Sequence, residues 1–341
     1  MYKIYKIIFF NGMLFCKVYT VLIFGVYNFI GYKSNLYMRW DMRKIAIIDI
    51  GSNTIRMSLF NVDGDEFNEL LNKKTTAGLA SYVKKGFLSR DGIEKLLRIL
   101  NGLIKTAKVL GFEEIKIFAT ASLRNILNIE EVKEILKREI DEPVEIVSGV
   151  DEAYFGYLGV KEKYDVSSGL IVDIGGGSTE ITSIDAGKTV YNNSIPLGSL
   201  NLFKKYSSGI FIPKKSIERA EKYVVKKFDP IYSENLKSDE LYGVGGTIRA
   251  VSNVIMEMKS LQSNKMIKSE FVFELYDKLK KKDKKTYEYV LKVSPERVHT
   301  IFPGTIILME ILRMSEAKTV YVSKFGVREG VLTNYLSEGR K

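Results

Sequence analysis

Apolar runs closed by a glycine turn and answered by an alternating stretch recur along this chain. KIAIIDIGSNTIRMSLFNVDGD (44–65) reads as a strand, a Gly-Ser-Asn turn and a returning strand, with Asp63-Gly64 marking a hairpin. Residues 89–109 set Ile93, Leu96, Leu97, Leu100, Leu103 and Ile104 at helical spacing behind a Ser89 cap, which predicts a scaffold helix. A strand feeding a helix follows at 114–128, and a strand at 143–149 runs into the helix DEAYFGYLGVKEKY (151–164). The opening order then returns in GLIVDIGGGSTEITSIDAGKTV (169–190), with Asp173 standing 124 positions after Asp49. Two matching openings predict a duplicated fold. A helix at 216–228, a strand and glycine loop at 240–251 opening a long helix, and a last strand and helix at 318–336 complete an α/β chain.

At 341 residues, 45% hydrophobic and 27% charged, the chain has the make-up of a globular protein and material for about two domains. With six prolines and no low-complexity tract, no flexible linker is expected. The net charge is +11, and +7 of it remains after residue 41, because the first 41 residues hold five Lys or Arg against Asp41. Such an excess favours an anionic partner, whether nucleic acid, a phosphate polymer or an acidic membrane. The densest run, KLKKKDKK (278–285), reads as a solvated face. Cys16 is the only cysteine, which rules out an internal disulfide and a thiolate metal cluster and fits a reducing cytoplasm. The one histidine, His299, excludes a multi-histidine site and reads as structural.

Residues 1–41 differ in kind, being rich in aromatics and almost free of acids. Lys17 leaves only 18–32 uncharged, short of the roughly 20 residues a spanning helix needs. No small-residue cleavage site follows, so a signal peptide fits no better. The segment is expected to be either a spurious extension upstream of a start at Met42 or membrane-associated.

The glycine turns carry the chemistry. Residues without Cβ let backbone N–H groups approach an anion closely. GGGSTEIT lacks the lysine and the following helix of a P-loop, and it runs into a strand where a dinucleotide fingerprint would open a helix. Asp49 precedes Gly51-Ser52-Asn53 as Asp173 precedes Gly175-Gly176-Gly177-Ser178, and a third loop, Gly245-Gly246-Thr247, opens a helix. Two hairpins facing across a cleft beside a helix N-terminus make a phosphate clamp. Aspartates at both hairpins would hold a hard divalent cation such as Mg2+.

Seven segments in order, DIGSNTIRM, ATASLRN, SGVDEAYFGYLGV, DIGGGSTEI, VGGTIRAV, PERVHTIFPGTIIL and FGVREGVL, resemble those of the exopolyphosphatase and guanosine pentaphosphate phosphohydrolase (Ppx/GppA) family of the actin-like superfamily, over residues 43 to 336. The length resembles that of the short two-domain members. The resemblance implies two duplicated actin-like, ribonuclease H-like domains, 42–165 and 166–336, around a cleft, with the C-terminal helix packing back on the first. Within Gly149-Val150-Asp151-Glu152-Ala153, Glu152 matches the family's hydrolytic base. Asp151 departs from the family's acid there, and Ser148-x-x-Asp151 reads as a capping box. The same resemblance puts Asp173 and Glu180 at the metal and attacking water, with Asp49 facing them, and matches Arg56 and Arg124 to arginines of the phosphate-binding surface. Arg249 and Lys324 are candidates by position alone, and His299 stands where relatives carry an acid.

The implied reaction is Mg2+-dependent release of terminal phosphate from inorganic polyphosphate in the cytoplasm, with guanosine pentaphosphate as the alternative substrate. No specific nucleic acid is expected, nor a membrane unless residues 1–41 are genuine, and a homodimer is left open. The rival readings are an ATP-dependent kinase on the same superfold and a non-catalytic sensor of guanosine tetra- or pentaphosphate.

Overall fold

The structure, a computed structural model, describes residues 5–10, 13–18, 42–207, 209–234 and 236–338, in two compact units, residues 1–41 and 42–341. In the first unit β1 (Tyr5–Phe10) and β2 (Met13–Val18) pair antiparallel. Residues 19–41, which hold all but the first residue of the uncharged stretch 18–32 and the join to Met42, on which the expectations for this segment turn, lie outside the described residues. Among the described residues no helix is long and apolar enough to cross a membrane.

In the second unit β3 (Arg43–Ile50) is an Ile-rich run with Ile45, Ala46, Ile47 and Ile48 all buried, as a strand covered on both faces requires. β4 (Thr54–Asp63) returns antiparallel, and the turn at Gly64 leads to β5 (Glu66–Thr76), an edge strand whose exposed polar side chains and lysines discourage further pairing. A small hairpin, β6 (Val83–Lys84) and β7 (Phe87–Leu88), precedes α1 (Arg90–Val109). There Ser89 Oγ accepts from the Gly92 N–H at 3.3 Å, and Ile93, Leu96, Leu100, Leu103 and Ile104 form the buried stripe. β8 (Glu114–Ala119) lies parallel to β3, followed by α2 (Ala121–Arg124), α3 (Ile129–Glu139), β9 (Val144–Ile146) and α4 (Gly149–Lys161). The strand order is β5-β4-β3-β8-β9.

The second half repeats that order. β10 (Gly169–Ile174), β11 (Thr179–Asp185) and β12 (Lys188–Ile195) form its antiparallel part. α5 (Ser199–Tyr206) and α6 (Lys214–Tyr232) lead to β13 (Glu240–Val244), parallel to β10, and to α7 (Gly245–Lys259). β14 (Met266–Lys268), α8 (Ser269–Lys280), α9 (Lys284–Val293) and α10 (Ile301–Ser315) precede β15 (Thr319–Val322) and α11 (Val327–Glu338). The sheet runs β12-β11-β10-β13-β15-β14, which is the order of the first sheet with one added edge strand.

Where the pattern predicts one long helix after residue 251, α7 ends at Lys259 and the chain builds β14 and three more helices before β15. α10 is buried almost throughout, so its sequence is apolar all round and carries no amphipathic period. The lysine run 278–285 closes α8, turns, and opens α9.

The helices that close the two halves are exchanged. α4 packs Tyr157 and Val160 against Ile171, Ile184 and Tyr242 of the second sheet. α11 packs Leu332 and Leu336 against Ile45, Ile47 and Phe60 of the first. The two helices meet backbone to backbone: a Cβ on Gly159 would stand 2.0 Å from Gly326 O, and one on Gly330 would stand 1.8 Å from Phe155 O.

Candidate active site

The β3–β4 and β10–β11 turns share one design. The Gly51 N–H donates to Thr54 O at 3.0 Å, and the Gly175 N–H donates to Ser178 O at 2.9 Å. The turns face each other so closely that a Cβ on Gly177 would lie 2.9 Å from Ser52 Oγ. The start of α7 forms a third wall. Gly245 sits at φ +85, and Asp173 Oδ1 stands 2.1 Å from where a Cβ would be, so both backbone angle and space demand glycine. The first N–H groups of that helix have no partner within it. These walls bound a cavity of about 160 Å³.

Asp49, Gly51, Ser52, Asn53, Arg56, Glu152, Asp173, Gly175, Gly176, Gly177, Ser178, Glu180, Gly245 and Gly246 all line this cavity, as do Arg249 and Lys324. Two expected phosphate ligands do not. Thr247 is buried, its hydroxyl 3.3 Å from Ser199 Oγ. Arg124 turns to the carboxylates instead: Nη1 donates to Glu152 Oε2 at 2.7 Å and to Val147 O at 3.1 Å, and Nη2 lies 3.8 Å from Glu180 Oε1. With two acids this near, its charge is drawn to them. Asp151 is exposed and tied to Ser148, whose Oγ accepts from the Asp151 N–H at 3.1 Å and donates to Oδ2 at 2.6 Å. His299 packs edge-on against Phe203 and is not a lining residue.

The cavity also holds residues that no local pattern marks: Ser199, Arg297, Thr300, Arg328 and Glu329. Arg297 and Arg328 belong to the quoted segments PERVHTIFPGTIIL and FGVREGVL, so an arginine in each was the available signal. Arg328 Nη1 donates to Ser58 Oγ on β4 at 2.6 Å, and the Glu329 Oε2 accepts from the Gly326 N–H at 2.7 Å, capping α11.

The electrostatics are those of opposed charges held in a dry place. Burial pushes the Asp49 carboxyl up to about 6 against the pull of Arg328 and Arg56. Burial, and then the charge of Asp173, pushes Glu180 up to about 7. Glu152 is raised well above the carboxylate range, first by burial and then by Glu180, with Arg124 opposing both. Asp173 is raised by burial and held back by Arg249, Arg297, Arg328 and Arg56. The arginines move the other way. Burial and the charge of Arg56 lower Arg249 to about 10, and burial lowers Arg56 and Arg297. A buried like-charged group is relieved by an added counter-charge, and these three arginines offer that relief to an anion.

Asp49, Asp173 and Glu180 face the cavity, but among the described residues no group of three or more His, Cys, Asp or Glu converges as a ready ligand set. The donors therefore suit a hard cation that takes one or two carboxylates and completes its shell with water and phosphate oxygens, the manner of Mg2+.

Fold and cavity together define an actin-like α/β protein of two like-built lobes with a cation-rich cleft. The chain belongs to the Ppx/GppA phosphatase family, whose model matches residues 59–338. It is 25% identical over 298 residues to a Haemophilus influenzae protein named "Putative exopolyphosphatase", covering 86% of this chain and 92% of that one. It is 31% identical over 292 residues to the bifunctional 3-dehydroquinate synthase/phosphatase of Fusobacterium nucleatum, covering 78% of this chain and only 43% of that protein. A solved structure of the Aquifex aeolicus PPX-GPPA enzyme matches with a TM-score of 0.71 at 26% identity, over 86% of this chain and 99% of that one. An exopolyphosphatase from Cytophaga hutchinsonii shares the fold, with a TM-score of 0.77 at 19% identity over 87% and 98% of the two chains.

Proposed function

We propose that the protein is an exopolyphosphatase that hydrolyses the terminal phosphoanhydride of inorganic polyphosphate and releases orthophosphate. The observation that carries this reading is the cavity wall, where Arg56, Arg249, Arg297 and Arg328 line a space that has no aromatic side chain among its described lining residues. Guanidinium forks grip successive phosphate groups without reading a base. A guanine ring calls for a stacking surface, so the bare phosphate chain is favoured over guanosine pentaphosphate. The phosphatase family and the name of the Haemophilus relative support hydrolysis.

In this reading Glu152 takes a proton from a water whose oxygen attacks the terminal phosphorus. The bond from phosphorus to the bridging oxygen breaks, and the shortened chain departs with the electron pair. Arginines and glycine-loop N–H groups hold the charge that develops on it. Mg2+ held by one or two of Asp49, Asp173 and Glu180 would supply further neutralisation of the phosphoryl oxygens. The base must be ionised to act, and Arg124 opposes the burial that would neutralise it.

Purified protein with Mg2+ and polyphosphate, guanosine pentaphosphate, or ATP with sugars tests this. Phosphate release fastest from polyphosphate is expected, with Glu152→Gln near background. Undiminished release by Glu152→Gln removes the base from the mechanism, and tight binding of guanosine tetraphosphate with no turnover of any substrate favours the sensor.

A further inference from the structure

We infer that orthophosphate leaves through a second cavity behind the catalytic acids, past a gate formed by Arg124. The inference rests on the exopolyphosphatase reading, whose geometry creates the problem. The phosphorus attacked is the one nearest Glu152, and the rest of the chain runs from it toward the arginines. After cleavage the released phosphate lies between Glu152 and a chain still gripped, so its way back is filled by the substrate itself.

A cavity of about 310 Å³ opens on the other side of Glu152, lined among others by Arg124, Asn125, Val150, Asn193, Ser194 and Pro196. It shares no lining residue with the front cavity. At roughly 30 Å³ per water, it has room for a hydrated phosphate. Glu152 lines the front cavity and Arg124 the rear one, and the two side chains touch. Arg124 Nη1 holds Glu152 on the front side at 2.7 Å, while Nη2 reaches Ser194 Oγ on the rear side at 3.4 Å. The second contact is long for a hydrogen bond and costs little to break. Nη1 is held by Glu152 and by Val147 O at 3.1 Å, whereas Nη2 has only its long contacts to Ser194 and Glu180, so the Nη2 edge can turn toward the rear and meet a phosphate oxygen there. The N-terminus of α4 lies against the same opening: a Cβ on Gly149 would stand 2.4 Å from Ser194 Cβ and 3.7 Å from Arg124 Cζ.

The test narrows the rear opening without touching the acids. Val150 is 53% exposed and Asn193 is exposed, so Val150→Trp and Asn193→Trp are compatible with folding. Rapid-quench measurement of first-turnover cleavage is set against phosphate release followed with a fluorescent phosphate sensor, using Mg2+ and polyphosphate. Cleavage at the parent rate with release slowed about tenfold is expected in both variants, and unchanged release in Val150→Ala. Release that keeps pace with cleavage in both tryptophan variants overturns the exit, as does equal slowing of the two steps. A parent protein that cleaves no polyphosphate at all overturns the hydrolase reading, and the exit with it.

Discussion

Arg56 and Glu180 occupy the same rung of two like hairpins: Arg56 pairs directly across from Asp49, and Glu180 directly across from Asp173. One duplicated position has become cationic in the first lobe and anionic in the second. The first side chain is suited to grip phosphate and the second to hold metal and water. Arg56→Gln is therefore expected to raise KM for polyphosphate about tenfold with a smaller loss in kcat, and Glu180→Gln to lower kcat with KM little changed. Steady-state kinetics on the two variants decides, and matching effects would sink the division of roles.

Removing the base should leave the fold and stop the chemistry. Glu152→Gln keeps the hydrogen bond from Arg124 while losing the ability to take a proton, so kcat is expected to fall by about 10² to 10⁴ with circular dichroism unchanged. In the parent, kcat should rise with pH through a value well above the ordinary glutamate range, because burial and Glu180 both raise the pKa of Glu152.

The same acids are a burden on stability. Asp49 titrates at about 6 and Glu180 at about 7 in the folded chain, against ordinary values of 3.8 and 4.5. The folded state thus holds protons that the unfolded state has released. The contribution to stability is full below the ordinary values and is lost as pH rises through the raised ones. In metal-free buffer, Asp49→Asn and Glu180→Gln should each raise Tm relative to the parent at pH 8 and give a smaller gain, or none, at pH 4. Thermal melts at both pH values with EDTA present check this.

Four arginines at one cavity should make binding salt-sensitive, since their long-range attraction for a polyanion in solution is screened over about 10 Å at 0.1 M salt. KM for polyphosphate is expected to climb with ionic strength, and Arg249→Gln and Arg297→Gln each to flatten that climb. A KM indifferent to salt in the parent contradicts the role given to these side chains.

Glycine matters differently in two helices. Gly330→Ala puts a methyl group into the backbone of α4 and should cost about 1–3 kcal/mol. Gly102, exposed in α1 with open space around its missing Cβ, should accept alanine with a gain of about 0.5–1 kcal/mol. Denaturant titration of the two variants gives opposite signs if the helix crossing is as tight as described.

The parts of the site that were legible in the sequence are those set by neighbours along the chain. Asp49 and Asp173 end apolar strands before glycine turns, and Glu180, seven residues after Asp173, returns to face it because the hairpin closes tightly. Arg297 and Arg328 reach the cavity only after the short turn Pro295–Arg297, α11 and the two sheets have assembled, and no spacing records that approach. Arg124 shows the opposite difficulty. Its place beside the site was legible, but its direction depends on α4, whose Glu152 arrives 28 residues later and draws the guanidinium to itself.

The exchange of α4 and α11 makes the repeat in the sequence something other than a folding unit. A fragment covering 42–165 would lack the Leu332 and Leu336 that pack on Ile45, Ile47 and Phe60, and its own last helix would lose the sheet beneath Tyr157 and Val160. The remaining fragment would have the mirror defect. Each half finishes the other, so a break in the chain between them is expected to yield two sticky pieces that become soluble only when made together.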